Sequence, residues 1–114
     1  MTINNGRLSS YPKITIFGPV ESPTWALYQY GVRLATGKVN VVIPEGNKLV
    51  VDMHPATMEI AEYTGDGIFV ANRYQDSDFS TERIFELPPG ECRLVFAQGG
   101  LGNTKAFVEV RKRV

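Results

Sequence analysis

The chain is poor in the residues that most often build metal or redox sites. It has one cysteine, Cys92, and one histidine, His54, in 114 residues. A lone thiol excludes an internal disulfide, and no zinc-type spacing of His and Cys can be drawn from one of each. His54 lies in Asp52-Met53-His54-Pro55 and reads as a strand-end turn residue. Cys92 alternates with Leu94 and Phe96 and reads as a small buried hydrophobe in a strand. Neither sign of charge is in excess, with 12 basic and 12 acidic residues. That balance argues against a nucleic-acid binder of this size, which would carry a basic surplus. No apolar run approaches the ~20 residues of a membrane helix. The opening MTINNGRLSS lacks the apolar core of a signal peptide and, being polar with Gly and Ser, reads as a linker or the cut end of a longer chain.

Catalytic signatures are missing as well. No Gly-x-Ser-x-Gly elbow occurs. Gly99-Gly100-Leu101-Gly102 precedes a strand rather than the helix a phosphate cradle needs, so it reads as a hairpin loop. Asp76, Asp78 and Glu82 lack the repeated acids and central glycine of a calcium loop and read as a solvated acidic stretch. The expectation is a protein without metal or cofactor and without enzymatic activity.

What the chain does have is alternation. Tyr11-Pro12 leads into Lys13-Ile14-Thr15-Ile16-Phe17, stopped at Gly18-Pro19 and re-aimed by Ser22-Pro23 into Thr24 to Tyr30. Proline cannot donate to a ladder and glycine permits a sharp exit, so the pattern is a strand deliberately ended. Further period-2 runs cover Gly37 to Ile43, Leu49 to Met53, Thr57 to Glu62, Cys92 to Phe96 and Lys105 to Lys112, and the hairpin signal Thr64-Gly65-Asp66-Gly67 leads into a strand over Ile68 to Asn72. Arg73 to Glu82 alone lacks strand patterning and reads as a surface loop with one helical turn near Ser80. Short strands at roughly 8–12-residue spacing predict an all-β fold, a two-sheet antiparallel β-sandwich of galectin-like or jelly-roll type, as a single domain over residues 11–114. Its expected core is Ile14, Ile16, Val41, Leu49, Val51, Ile60, Leu94, Phe96 and Val108.

Aromatic side chains supply the one candidate ligand site. Trp25 and Leu27 share the core parity, while Tyr28 and Tyr30 share the opposite one. Tyr28, Tyr30 and Tyr74 are therefore candidates for a carbohydrate platform, where sugar rings stack on exposed aromatic faces. The plainer reading is that tyrosine suits a half-buried strand with its hydroxyl in water.

The order of short motifs resembles the C-terminal, galectin-like domain of siphophage distal tail proteins, the hub components of phage baseplates. The shared features are Tyr11-Pro12, Ile14-Thr15-Ile16, Gly18-Pro19 and Pro23-Thr24 at the start. Gly46 to Asp52 then matches a Gly-x-x-Leu-x-x-Asp strand, and Leu87-Pro88-Pro89-Gly90 a Leu-x-Pro-Gly turn before Cys92 to Phe96. The resemblance implies a structural module of a tail tip, located in the virion tail and, during assembly, in the host cytoplasm. It implies partners among neighbouring baseplate or receptor-binding proteins; the alternative, carried by the tyrosines, is a carbohydrate-binding module for host cell-surface polysaccharide. The family's ring-forming N-terminal half has no counterpart here, so the chain reads as part of a longer protein whose parent is a hexamer. The domain alone is expected to be a monomer, because its outward rows (Lys38, Asn40, Glu59, Arg93, Glu109 and Arg111) are polar and only Phe107 breaks the pattern. Galectin sugar chemistry is not implied, because His54 to Met58 does not form the His-x-Asn-x-Arg strand.

Overall fold

Alternating sequences bury one face of each strand, and two such faces bury each other. The computed structural model, which describes residues 2–7, 9–98 and 105–112, realises this as two antiparallel sheets. In chain order the strands are β1 (Thr2–Asn4), β2 (Ser10–Phe17), β3 (Val20–Glu21), β4 (Thr24–Gln29), β5 (Val32–Lys38) and β6 (Val42–Ile43). They continue with β7 (Asn47–Asp52), β8 (Glu59–Thr64), β9 (Phe69–Asn72), β10 (Glu91–Ala97) and β11 (Lys105–Lys112). One sheet has the order β1-β10-β4-β5 and the other β11-β2-β7-β8-β9, with β3 and β6 forming a small separate ribbon. The all-β sandwich expected from the alternation is what the chain adopts.

The core is two clusters bridged by shared side chains. Ile14, Ile16, Leu49, Val51 and Ile60 from the five-stranded sheet pack with Trp25, Val41 and Ile43. Leu27, Ala35, Cys92 and Leu94 from the other sheet pack with Ile3 and Leu87. Phe85, Phe96 and Val108 touch both groups. Seven of the nine expected core residues are buried, whereas Phe96 and Val108 are only half-buried. Both shortfalls have one cause. β11 is an edge strand, and β10 becomes one beyond Arg93, where its pairing with β1 ends. An inward residue there has a cross-strand neighbour on one side only.

Several expectations need correction. Residues 1–10 are not simply a linker: β1 pairs with β10 through Thr2↔Arg93 and Ile3↔Cys92, and Ile3 is buried. Val32 to Thr36, which carry no clean alternation, form most of β5; a register shift opposite Leu27 and Tyr28 breaks the period there. The run from Gly37 to Ile43 is two pieces, because Val39 leaves the ladder to bridge Ser77. Tyr30 belongs to the β4–β5 turn rather than to the strand. Thr57 likewise belongs to a turn that holds Met58 out as an exposed side chain, and β8 begins only at Glu59. The single turn of 3-10 helix covers Tyr74–Asp76 rather than the Ser80 region. The hairpin loop expected at Gly99-Gly100-Leu101-Gly102 lies outside the described residues; the strands β10 and β11 belong to different sheets.

Candidate binding surfaces

At the β4–β5 end of the four-stranded sheet, three distant stretches meet. The register Thr2↔Arg93↔Tyr28↔Arg33 lays four outward residues in one row across β1, β10, β4 and β5. Beside this row a shallow depression is lined by Thr2, Tyr28, Gln29, Tyr30, Glu91 and Arg93. Tyr28 is half-buried, and Tyr30 is 87% exposed. The turn between Gln29 and Val32 is Tyr30-Gly31, with φ of 51° and 76°. A two-residue hairpin loop of this type asks for Asn-Gly, because both positions sit in the left-handed region. Tyrosine there costs about 1–2 kcal/mol in local backbone energy, and its ring makes little contact to offset it.

The depression is held from the side by the next turn. Gln29 Nε2 donates to the carbonyls of Pro89 (2.8 Å) and Glu91 (3.3 Å). A Cβ built on Gly90 would lie 3.6 Å from the Tyr30 hydroxyl, so that ring reaches across to the Pro89-Gly90 turn. The Arg93 side chain forms no hydrogen bond or ion pair among the described residues. Arg33 is less free, since its charge helps hold Glu82 below the usual carboxylate range, after the backbone N–H bonds to that carboxylate. On the buried side of β10, burial and then the Glu91 charge push the Cys92 thiol up, consistent with a packing role.

Tyr74, the third aromatic candidate, is elsewhere. It opens the 3-10 turn beside the far end of β4–β5, where Asp78 N–H donates to the Lys38 carbonyl and Lys38 pairs with Thr24. The five steps of β4 separate the two ends by roughly 17 Å. Tyr74 packs instead on the core, accepts a bond from Arg83 Nη2 (3.0 Å), and meets Phe79 edge-on, with Arg83 lying over both rings. Asp76, Asp78 and Glu82 turn to separate partners, namely Arg73, Ser80 and the Thr36 N–H. Among the described residues, no group of three or more His, Cys, Asp or Glu side chains could hold a metal ion.

A second surface lies on β9, at the edge of the five-stranded sheet. Ile68, Phe69 and Val70 are 66%, 57% and 44% exposed, and Met58 nearby is 49% exposed. Among the described residues β9 pairs only with β8, so its outer N–H and C=O groups face away from the sheet. The other sheet's β5 edge is covered at one end: Asp78 bonds Lys38, Ser77 bridges Val39 and Glu82 accepts from Thr36, so residues 77–82 lie along Thr36 to Val39, while Val32 to Leu34 stay exposed. Sequence reading identified β9 as a strand but gave it no role. The signal was the unbroken apolar run Ile68-Phe69-Val70-Ala71, which fits neither a half-buried strand nor a polar edge. No family model, curated protein or solved structure matches the chain.

Proposed function

We propose that the chain is a non-enzymatic docking module of a phage tail tip, related to the C-terminal, galectin-like domain of distal tail proteins. The observation that carries the docking role is the open apolar edge at β9. Edges of this kind recruit an extended segment by strand addition, in which main-chain bonds supply affinity and apolar side chains supply specificity. The run of motifs from Tyr11-Pro12 to Leu87-Pro88-Pro89-Gly90 supports the tail-tip setting, and the antiparallel sandwich supports the domain type. The partner would be a neighbouring baseplate or receptor-binding protein offering one strand.

Two charges on that edge test the proposal. Phe69→Lys with Val70→Lys should leave the far-UV spectrum of the purified domain unchanged, since both side chains are exposed. Introduced into the gene carried by the phage, the pair should remove the protein from purified tailed particles, as read by immunoblot, while the wild-type protein remains bound. Absence of the wild-type protein from the particles would end the tail-tip reading. Unimpaired incorporation of the doubly charged variant would end the assignment of β9 as the docking edge.

A further inference from the structure

We infer that the depression at the β4–β5 hairpin is a binding site for a neutral oligosaccharide, with Tyr30 as its stacking ring. Three features of that end of the sheet converge. First, Tyr30 occupies a left-handed backbone position that a tyrosine adopts only under strain, and its ring stands 87% exposed. Neither the turn nor the core needs that ring, and strained residues of this sort gather at ligand sites. Second, a further aromatic ring, Tyr28, lines the same depression, so a chain of sugars can meet two apolar faces. Third, the polar groups around those rings are mixed in character. Arg93 offers only donors and the Glu91 carboxylate only acceptors; the Thr2 hydroxyl offers both, and Gln29, whose amide N–H groups are given to Pro89 and Glu91, offers its Oε1 as an acceptor.

That mixture chooses the ligand class. A vicinal diol both donates and accepts, so it can engage a carboxylate and a guanidinium side by side. A polyanion would meet Arg93 favourably but be repelled by Glu91, two residues along the same face of β10. A polycation would meet the reverse difficulty. A plain apolar ligand would leave both charges stripped of water and unpaired, which is unfavourable. A neutral sugar is the ligand class that can engage Arg93, Glu91 and Thr2 together while stacking on the two rings. Arg33, at the end of the row, shares its field with Glu82 and adds little net charge.

The inference is independent of the docking reading, because β9 belongs to the other sheet. Affinity electrophoresis of the purified chain, in gels cast with a soluble β-glucan, a galactan, a mannan or polygalacturonate, tests it. At least one neutral polymer should retard the wild-type protein. Tyr30→Asn should weaken that retardation by about tenfold, the scale of a lost aromatic contact. The same substitution should raise the melting temperature, because asparagine suits the left-handed turn position better than tyrosine. A higher melting temperature with weaker binding separates a lost site from a lost fold. Arg93→Ala should also weaken binding, and Phe69→Lys on the distant edge should leave it unchanged. Retardation by no neutral polymer, retardation by polygalacturonate alone, or undiminished binding in Tyr30→Asn would each overturn the inference.

Discussion

Replacing Gly37 by alanine is expected to destabilise the domain by about 3 kcal/mol, at the upper end of what one added methyl causes in a packed core. Gly37 stands opposite Trp25 in the β4–β5 ladder, and Trp25 is 1% exposed. A Cβ built on Gly37 would lie 2.3 Å from Trp25 Cε2 and 2.4 Å from Nε1, inside van der Waals contact. The indole is laid over a glycine that has no side chain to displace it, an arrangement in which an aromatic covers a cross-strand glycine. The ring cannot swing aside without opening the core, since it packs in the cluster with Ile14, Ile16 and Ile43. Its Nε1–H is buried without an acceptor among the described residues, so shape, not hydrogen bonding, holds it there. A double-mutant cycle checks the cause. In a Trp25→Leu background, itself costing about 2–4 kcal/mol for lost volume, Gly37→Ala should become nearly neutral. Equal costs in both backgrounds would show that the ring is not the obstacle. Urea midpoints of the four proteins give the answer.

How much of this was legible in the sequence differs from strand to strand. β2 is readable because Ile14 and Ile16 alternate with Lys13 and Thr15, and β7 because Leu49, Val51 and Met53 recur at every second position, although Val50 between them is buried too. β5 was not, because Val32, Arg33 and Leu34 are all exposed at an edge where the register shifts, and no face is buried to impose a period. β1 was hidden by its length; three residues cannot display a period, and only Ile3 is buried. Of the aromatic candidates, Tyr28 and Tyr30 could be joined because they are neighbours on one hairpin. Thr2, Glu91 and Arg93 could not be joined to them, since their meeting depends on β10 lying between β1 and β4. That order is a tertiary fact, and no local pattern encodes it. Tyr74 shares only its residue type with them, and the path of the chain across the β5 edge takes it to the other end.

The same limit applies to Glu62, which the alternation assigned to strand β8 without hinting that its carboxylate is buried. It lies opposite Leu49 on the inward face, with a side chain 3% exposed. Burial alone would push its pKa up, yet it lies below the usual carboxylate value. The cause is a full set of partners: Asn47 Nδ2 donates to Oε2 at 2.8 Å, and Arg73 donates to Oε1 from Nε at 3.1 Å and Nη2 at 2.7 Å. Arg73 also reaches Asp76, so one guanidinium ties the end of β9 to the 3-10 turn. Removing it by Arg73→Leu leaves a buried carboxylate with Asn47 as its remaining partner, and should cost about 2–3 kcal/mol at neutral pH. Arg73 is itself 29% exposed, so water can enter its place and the loss stays below that of a fully buried pair. The pH dependence follows from the direction of the shift. A carboxyl whose folded pKa is depressed contributes stability that is present above its ordinary value of 4.5 and lost as pH falls through the folded pKa. The wild-type protein should therefore lose this contribution below pH 4.5. The Arg73→Leu variant has less of it to lose, so the gap between the two should narrow as the buffer is acidified. Thermal melts of both proteins from about pH 7 to about pH 3 measure that gap. A gap that stays constant across the range would mean that Arg73 stabilises the fold through packing and not through the Glu62 charge.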